Sequence, residues 1–420
     1  MATIRAFRGL RYSASAGPLE SLVAPPYDVL SPEEREAFAA KSPHNIVHLT
    51  LPEAKPDDRS KFVKYARSAS RLEEMRREGV LRPEERPAFY RYTQTFAIPG
   101  ADRTVTRTAL IAAIKVEPYE KGVVLPHEQT FPKHKEDRLR ILEATRAHLE
   151  CIYGLFEDDD QAVFRLIREA PCDVIEDVTT EDGVHHLVER IDDPDWVERI
   201  SKGLAPKKVW IADGHHRYET ACTFRAALGD RDGEVAEDFM MMALSSIADP
   251  GLVLLPTHRI LERGPDDVRE RLKADKRFAV VEAANEELMS RIESIARAGG
   301  RAFGVALPGE TGLVLEVRDL GSLTGEGHLE RLDVSIVHSI ILGQILEVPG
   351  YDGIAYTRDP SEALAAVEAG AKASFLMNPP TVDDMRRIAL AGQKMPQKST
   401  YYYPKILSGL ALWSLNDFQA

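Results

Sequence analysis

The segment KKVWIADGHHRYETA, residues 207–221, predicts a strand that turns directly into a helix. Its apolar run up to Ala212 is typical of a buried strand, and Gly214 permits a tight turn and close approach of a ligand to the backbone. A helix is predicted from His215. Its buried face is expected to carry Ala221, Phe224 and Leu228.

The turn itself has the properties of a phosphate-binding site. The first turn of a helix offers N–H groups and the positive end of the helix dipole to an anion. Arg217 adds a planar cation suited to phosphate, and His215 and His216 can donate hydrogen bonds or move a proton. We therefore predict that Asp213, Gly214, His215, His216 and Arg217 bind phosphate, with His216 also a candidate catalytic residue.

Two alternatives exist for the paired histidines: they ligate a metal, or their role is structural. Neighbouring residues on a helix point about 100° apart, which makes a shared metal awkward. No H-x-x-x-H pattern follows, and we predict no metal site.

A second motif is LPHEQTFPKHKEDRLRILEAT, residues 125–145. His127 and Glu128 stand before a predicted helix, in a loop rich in lysine. A carboxylate among basic groups can orient or deprotonate a hydroxyl, so both residues are candidate catalytic groups. The motif is not the zinc pattern H-E-x-x-H, because position 131 is Phe131. A charged surface loop is the alternative interpretation.

A third motif is GQKMPQKSTYYYPKILSGL, residues 392–410. Two lysines and two hydroxyl residues in a short polar loop are suited to holding an anion. We predict that Lys394, Lys398, Ser399 and Thr400 bind phosphate. An ordinary loop that covers the core is the alternative.

A fourth motif is APPYDV, residues 24–29, in which two prolines stiffen the backbone before Asp28. This carboxylate is a candidate catalytic residue. The alternative is that it caps the helix that Ser31 and Pro32 are expected to open.

Composition limits the class of protein. The 420 residues carry a net charge of −13, which argues against a nucleic-acid partner. The chain is 44% apolar and 29% charged, as in soluble globular proteins. We expect no signal peptide and no membrane span, because no apolar run has the necessary length, and the three cysteines form no C-x-x-C pair. We expect a cytoplasmic protein without a membrane partner.

The pattern of elements predicts a mixed α+β fold. Strands over 90–98 and 104–116 form an expected hairpin, and Asp182-Gly183 is the turn of another. After Pro265 the pattern of predicted helices and strands changes. Near the end of the chain strands and helices alternate, which favours a mixed α/β sheet. We predict a nucleotide- and substrate-binding region over 1–265 and an α+β region over 266–420 that contributes a loop to the site.

Together these motifs resemble a bacterial and archaeal family known only as domain of unknown function ten-fifteen. The matching stretches extend from residue 24 to residue 405. They are APPYDV, HEQTF with EDRLRILEAT, IADGHHRYETA, LPTHR (255–259), and FLMNPP through MPQKSTYYYPK.

The HHR segment is also similar to the nucleotide-binding box of the ParB/sulfiredoxin superfamily. Sulfiredoxins carry a cysteine where this sequence has His215, so their sulfinic acid chemistry is not implied. ParB proteins match only at Gly214 and Arg217. Free serine kinases have a similar Asp-Gly-His-His-Arg motif and transfer phosphate between a nucleotide and serine. The resemblance implies a ParB/sulfiredoxin-like core and nucleotide phosphates held by residues 213–217.

The leading hypothesis is a phosphotransferase that acts between ATP or ADP and a small hydroxy compound, with serine or phosphoserine as the first candidate. Glu128 or Asp28 would accept the hydroxyl proton, Lys394 and Lys398 would close over the phosphates, and Mg²⁺ would enter with the nucleotide through Asp213 or water. One alternative is a phosphatase in which His216 protonates the leaving group or carries the phosphate. Another is a non-catalytic nucleotide-dependent regulator. The expected partners are a small-molecule substrate, the nucleotide and, in a homo-oligomer, further copies of the chain.

Overall fold

The chain folds into two units, each built around its own β-sheet. The first comprises residues 1–126, 130–253 and 404–420, and the second comprises residues 127–129 and 254–403. The computed structural model describes residues 1–128, 132–229, 231–348, 350, 352–396 and 398–419, and in 132–134 the backbone alone. Residues 129–131 of the HEQTF motif and the side chains of Lys133 and His134 lie outside this description.

The sequence prediction placed the domain boundary near residue 265. By packing, the second unit already begins at Leu254, since the strand that contains His258 belongs to the second sheet. Residues 404–420 pack with the first unit rather than with the region that precedes them.

The strands are as follows. Those before residue 250 are β1 (Ile4–Arg5), β2 (Leu10–Tyr12), β3 (Leu81–Pro83), β4 (Phe89–Ala97), β5 (Thr104–Lys115), β6 (Val124–Leu125), β7 (Ala147–His148), β8 (Ile152–Phe156), β9 (Asp173–Thr179), β10 (His185–Ile191), β11 (Val209–Asp213) and β12 (Phe239–Ser246). The later ones are β13 (Val253–Leu255), β14 (His258–Leu261), β15 (Phe278–Ala284), β16 (Ala302–Ala306), β17 (Thr311–Val317), β18 (Ile354–Thr357), β19 (Ala373–Leu376), β20 (Tyr401–Tyr403) and β21 (Trp413–Ser414).

The helices also divide between the units. Those of the first unit are α1 (Pro32–Lys41), α2 (Val47–Thr50), α3 (Val63–Arg77), α4 (Pro132–Thr145), α5 (Ala162–Glu169), α6 (Pro194–Leu204) and α7 (His215–Ala227). Those of the second unit are α8 (Val268–Ala274), α9 (Leu288–Arg297), α10 (Leu320–Leu323), α11 (Asp333–Ser335), α12 (Pro360–Glu368) and α13 (Val382–Leu390), and a π-helix spans Ile336–Ile345.

The first unit is organised by a nine-stranded mixed sheet in the order β6-β11-β8-β12-β5-β4-β10-β9, with β1 beside β5. The pairs β6–β11 and β8–β12 are parallel, and the other pairs are antiparallel. The central strand β12, FMMMALSS, is buried along its whole length. One apolar core combines residues of this sheet with side chains from α5, α6 and α7.

Local signals account for several of these elements. Ser31 and Glu34 form a reciprocal capping box at the start of α1, with Pro32 at its first position, so the predicted helix opening is confirmed. The hairpin of β4 and β5 is confirmed as well. So is the hairpin of β9 and β10, in which Gly183 adopts a φ of 78° that a glycine accepts without strain.

The second unit has a six-stranded sheet in the order β15-β17-β16-β19-β14-β18. All neighbouring strands in it are antiparallel, so the mixed sheet predicted for this part of the chain was wrong. The reason lies in β14. It is inserted between β18 and β19 and runs antiparallel to both, so the two strands joined by α12 are not neighbours.

The predicted mixed α+β class is therefore confirmed, whereas the likeness to a ParB/sulfiredoxin core stays a prediction. Within the described residues, no helix combines the length and the apolar character that crossing a bilayer requires.

Candidate functional site

The predicted phosphate turn is formed at the junction of β11 and α7. Gly214 adopts a φ of 90° and a ψ of 28°, in the left-handed region that favours glycine, and no side chain caps the helix that follows. The first helical hydrogen bond runs from the N–H of Tyr218 to the carbonyl of Gly214. The N-terminus of α7 therefore starts at His215, and amides in a first helical turn point out of the helix end.

Arg217 lies directly over this glycine. A Cβ placed on Gly214 would come within 3.0 Å of its Nε and Nη2 atoms. Nη1 donates to the carbonyl of Cys151 at 2.6 Å, and Nη2 donates to Asp213 Oδ2 at 3.0 Å. Nε is buried and forms no hydrogen bond within the described part of the chain. The glycine thus keeps open a small space beside a fixed guanidinium group.

Asp213 joins this guanidinium to a lysine from the end of the chain. Its Oδ1 accepts a hydrogen bond from Lys405 Nζ at 2.6 Å, while its Oδ2 accepts from Arg217. Burial alone would raise the pKa of Asp213, but Lys405 and Arg217 outweigh it and lower that pKa to about 2. The carboxylate is therefore ionised at any ordinary pH.

A second layer of charge surrounds Arg217. Burial opposes the charge on Arg217, but Glu150, Asp213 and Asp28 outweigh burial and raise its pKa. Glu150 is buried, and its Oε1 accepts from the backbone N–H of Tyr27 at 3.0 Å and from the Ser408 hydroxyl at 3.2 Å. The predicted residue Asp28 thus belongs to the electrostatic surroundings of the turn.

Asp28 lies on an exposed turn, next to Tyr27. The Tyr27 ring contacts the Arg138 guanidinium at 3.9 Å and lies 5.9 Å from that of Arg217. Helix α1 is capped by Ser31, so the capping role considered for Asp28 is filled by another residue.

Other residues of the motif hold α7 in place. The Tyr218 hydroxyl donates to the carbonyl of Glu117 at 2.8 Å and accepts from the Glu117 N–H at 3.0 Å. Glu219 forms an ion pair with Lys135 of α4. His215 is buried and His216 is half-buried at the start of the helix.

A separate group of predicted residues meets within the second unit. His127 Nε2 lies 2.8 Å from the Thr400 hydroxyl, and the His127 carbonyl accepts from the N–H of Met395 at 2.7 Å. Glu128 Oε1 accepts from the N–H of Lys398 at 2.8 Å. The structure therefore brings His127 and Glu128 together with the predicted loop.

This loop has an unusual backbone at Lys398, whose φ of 56° lies in the left-handed region. The Ser399 hydroxyl donates to the carbonyl of Pro396, so it is used inside the loop. Lys394 and Lys398 are exposed. Phosphate binding by these residues and by Thr400 stays a prediction.

Asp213 is one predicted contact of Mg²⁺. Both oxygens of Asp213 already accept hydrogen bonds from cations, which disfavours Mg²⁺ at this carboxylate. Among the residues that the structure describes, no three His, Cys, Asp or Glu side chains are grouped to hold a metal.

Sequence reasoning missed several groups that shape the turn. Lys405 and Tyr27 stand in quoted motifs, MPQKSTYYYPK and APPYDV, but nothing in the sequence pairs them with Asp213 or Arg217. Arg138 also stands in a quoted motif, EDRLRILEAT, and Glu150 lies outside the quoted motifs, and nothing in the sequence connects either residue with the turn.

Comparison with protein families gives one clear result. A model described as a protein of unknown function, DUF1015, matches residues 4–335. The chain belongs to this family. The resemblance noted from its motifs is thereby confirmed, and the family description assigns no activity. No curated protein matches the chain.

Several solved structures are similar at low identity. A free serine kinase variant in complex with ADP matches with a TM-score of 0.37 and 15% identity, over 73% of this chain and 92% of that chain. A conserved hypothetical protein from Pyrococcus furiosus has a TM-score of 0.37 and 16% identity, over 74% and 97%. C-terminally truncated SbnI from Staphylococcus aureus has a TM-score of 0.35 and 12% identity, over 71% and 85%.

Proposed function

We propose that the protein is a phosphotransferase that moves a phosphoryl group between ATP or ADP and a small hydroxy compound, with serine or phosphoserine as the first candidate. The observation that carries this proposal is the turn at Gly214, where a helix N-terminus and a fixed, buried guanidinium group adjoin one glycine. A helix N-terminus binds phosphate through its free N–H groups, and an arginine fork matches the geometry of phosphate with two parallel hydrogen bonds.

The residues of the turn suit a nucleotide phosphate for two reasons. The space that a Cβ on Gly214 would fill is available to a ligand oxygen, and the buried Nε of Arg217 is a donor without a described acceptor. An unsatisfied buried donor is costly, and a phosphate oxygen would satisfy it. Residues 214–217 would therefore hold the phosphates, with His216 as a further donor.

Asp28 is the better of the two proposed bases in the geometry described. Asp28 is exposed, and its negative charge helps to raise the pKa of Arg217. The Glu128 carboxylate, by contrast, already accepts a hydrogen bond from the N–H of Lys398. In the forward direction, the substrate oxygen forms a bond to the transferred phosphorus and the bond from phosphorus to the nucleotide oxygen breaks. The hydroxyl proton passes to Asp28.

The experiment is to combine the protein with ATP or ADP and with serine or phosphoserine, and to follow each phosphorus species by ³¹P NMR. Transfer between nucleotide and serine is the expected result. Release of inorganic phosphate from phosphoserine without nucleotide would indicate a phosphatase instead. Nucleotide binding without any consumption would indicate a regulator.

Two variants assign the roles. Asp28→Asn should keep nucleotide affinity and slow transfer by roughly a hundredfold or more, as loss of a general base does. Glu128→Gln keeps a hydrogen-bond acceptor for Lys398 and should retain transfer. If Glu128→Gln abolishes transfer and Asp28→Asn does not, the assignment of the base is wrong.

The lysines of the loop need their own test. Lys394→Gln and Lys398→Gln each remove an exposed charge. The prediction that these side chains bind phosphate requires both variants to weaken nucleotide binding, and more so at low salt.

A further inference from the structure

The first unit contains a cavity of 520 Å³ that none of the predicted site residues lines. This volume is within the range of small-molecule sites. Its lining comes from β4, β5 and the turn between them, from β10, from α5, and from the segment after β12. The lining residues include Arg91, Thr93, Arg103, Thr108, Arg168 and Gly251.

The cavity lies at the opposite end of the sheet from the Gly214 turn. Asp213 pairs with Tyr153, near the start of β8, whereas Phe156 at the other end of β8 pairs with Ser246 of β12. The chain then runs on to Gly251, which lines the cavity. Strands β8 and β12 also separate β11 from β5. The two locations are therefore distinct.

The floor of the cavity is one face of the hairpin of β4 and β5. Thr93 pairs with Thr108 and Thr95 pairs with Thr106, so these side chains share a face. The hydroxyls of Thr95 and Thr106 hydrogen-bond to each other at 3.0 Å. Those of Thr93 and Thr108 have no hydrogen-bond partner within the described residues, and they are available to a ligand.

One wall is fixed by Arg91. This side chain binds Glu189 with two hydrogen bonds, of 2.6 and 2.7 Å, and donates to the carbonyl of Arg168 at the end of α5 at 2.6 Å. The pair of Arg91 and Glu189 is neutral, and it locks α5 against the sheet. The wall is thus rigid without adding net charge.

Two further arginines give the cavity its charge. Arg103, from the hairpin turn, and Arg168, from α5, both line it and are exposed. Neither forms an ion pair with a carboxylate in the part of the chain that the structure describes. Arg168 also acts electrostatically on the buried Asp249, whose carboxylate accepts the N–H groups of Thr108 and Gly251. In a chain with a net charge of −13, this is a local excess of cations.

We propose that this cavity is a second ligand site, which binds a small anion with two or more negative charges. Arg103 and Arg168 would contact its charged groups, and the hydroxyls of Thr93 and Thr108 would donate hydrogen bonds to its oxygens. Phosphate esters and di- or tricarboxylates share this chemistry. The proposal is independent of the phosphotransferase activity.

The test is calorimetric titration of the full chain with pyrophosphate and, separately, with citrate. The Arg103→Gln/Arg168→Gln double variant should bind the anion roughly a hundredfold more weakly, since each charge-assisted contact is worth about tenfold. Thr108→Val removes one hydroxyl without changing charge and should weaken binding roughly threefold to tenfold. Arg165→Gln is the matched control, because Arg165 is exposed on the same helix but does not line the cavity.

Pyrophosphate is also expected at the Gly214 turn, so the double variant should lose one of two binding events. Binding of pyrophosphate alone at the cavity would indicate a phosphate ester, and binding of citrate alone a carboxylate. The proposal is overturned if the double variant binds both anions as tightly as the natural chain, or if neither anion binds the natural chain more tightly than about 10 mM. It is also overturned if Arg165→Gln weakens binding as much as the double variant.

Discussion

The two groups of predicted site residues are held in place by different kinds of interaction. At the Gly214 turn, the charged side chains fix one another: Asp213 binds both Lys405 and Arg217. In the loop of residues 394–400, contacts to the backbone fix the chain, and the two lysines are exposed.

This difference determines what a substitution can reveal. At the turn, the groups that would bind a phosphate also hold the fold, so their loss changes binding and stability together. In the loop, a lysine can lose its charge while the contacts of Glu128 and Ser399 persist. Charge and geometry are therefore separable in the loop and inseparable at the turn.

The largest expected effect comes from Asp213→Ala. Lys405 and Arg217 would remain largely buried, with side-chain exposures of 11% and 8%, after losing their shared carboxylate. Breaking such a pair from one side costs roughly 3 kcal/mol of unfolding free energy. Urea denaturation measures this loss, and Asp28→Ala, which removes an exposed carboxylate, is the control. A loss below about 1 kcal/mol, as at surface ion pairs, would show that the turn is not held by its charges.

Acid should weaken the turn in a defined direction. The folded pKa of Asp213, about 2, is below its ordinary value of 3.8. The ionised Asp213 therefore contributes its full stabilisation above the ordinary pKa, and this contribution is lost as the pH falls through the pKa of the folded state. At neutral pH it amounts to about 2 kcal/mol of unfolding free energy. The stability difference between the natural chain and Asp213→Asn should shrink by roughly 1 kcal/mol between pH 7 and pH 3. A constant difference would contradict this account.

Gly214→Ala tests the space at the turn. Its left-handed backbone costs an alanine roughly 1–2 kcal/mol, and the added methyl group would meet Arg217 at 3.0 Å. Gly100→Ala is a matched control, because Gly100 has a φ of 74° and nothing within 4 Å of an added Cβ. Both variants should lose stability, but only Gly214→Ala should lose nucleotide binding in calorimetry. Equal nucleotide affinity in the two variants would exclude the turn as the phosphate site.

Elements defined by neighbouring residues were predictable from the sequence. The capping box at Ser31, the hairpin turn at Gly183 and the start of α7 all depend on contacts within a few positions. Strand β12 was not predicted, because a short apolar run such as FMMMALSS fits a buried strand and a buried helix equally well. The π-helix over Ile336–Ile345 was also missed, since its wide turns have no simple periodic signal.

The same distinction applies to the candidate site. The Gly214 turn is local and was predicted. The ion pair that fixes its carboxylate joins Asp213 to Lys405, 192 positions later, and the sequence gives no reason to prefer Lys405 to Lys394 or Lys398. Which lysine reaches an aspartate depends on how the chain end packs in the first unit, and that is a property of the tertiary fold.

The smallest expected effects are in the loop. Glu128→Ala removes the acceptor of the Lys398 N–H and should lower the free energy of unfolding by about 1 kcal/mol. Glu128→Gln keeps an acceptor and should lower it by less. Lys398→Gly removes the cost of a left-handed backbone in the folded state, but it gives the unfolded chain more conformational freedom. The net change in the free energy of unfolding should therefore stay within about 1 kcal/mol of zero. Urea denaturation compares all three. If Lys398→Gly instead destabilises as much as Asp213→Ala, the lysine side chain is part of a structural network, and the separation of charge from geometry in this loop fails.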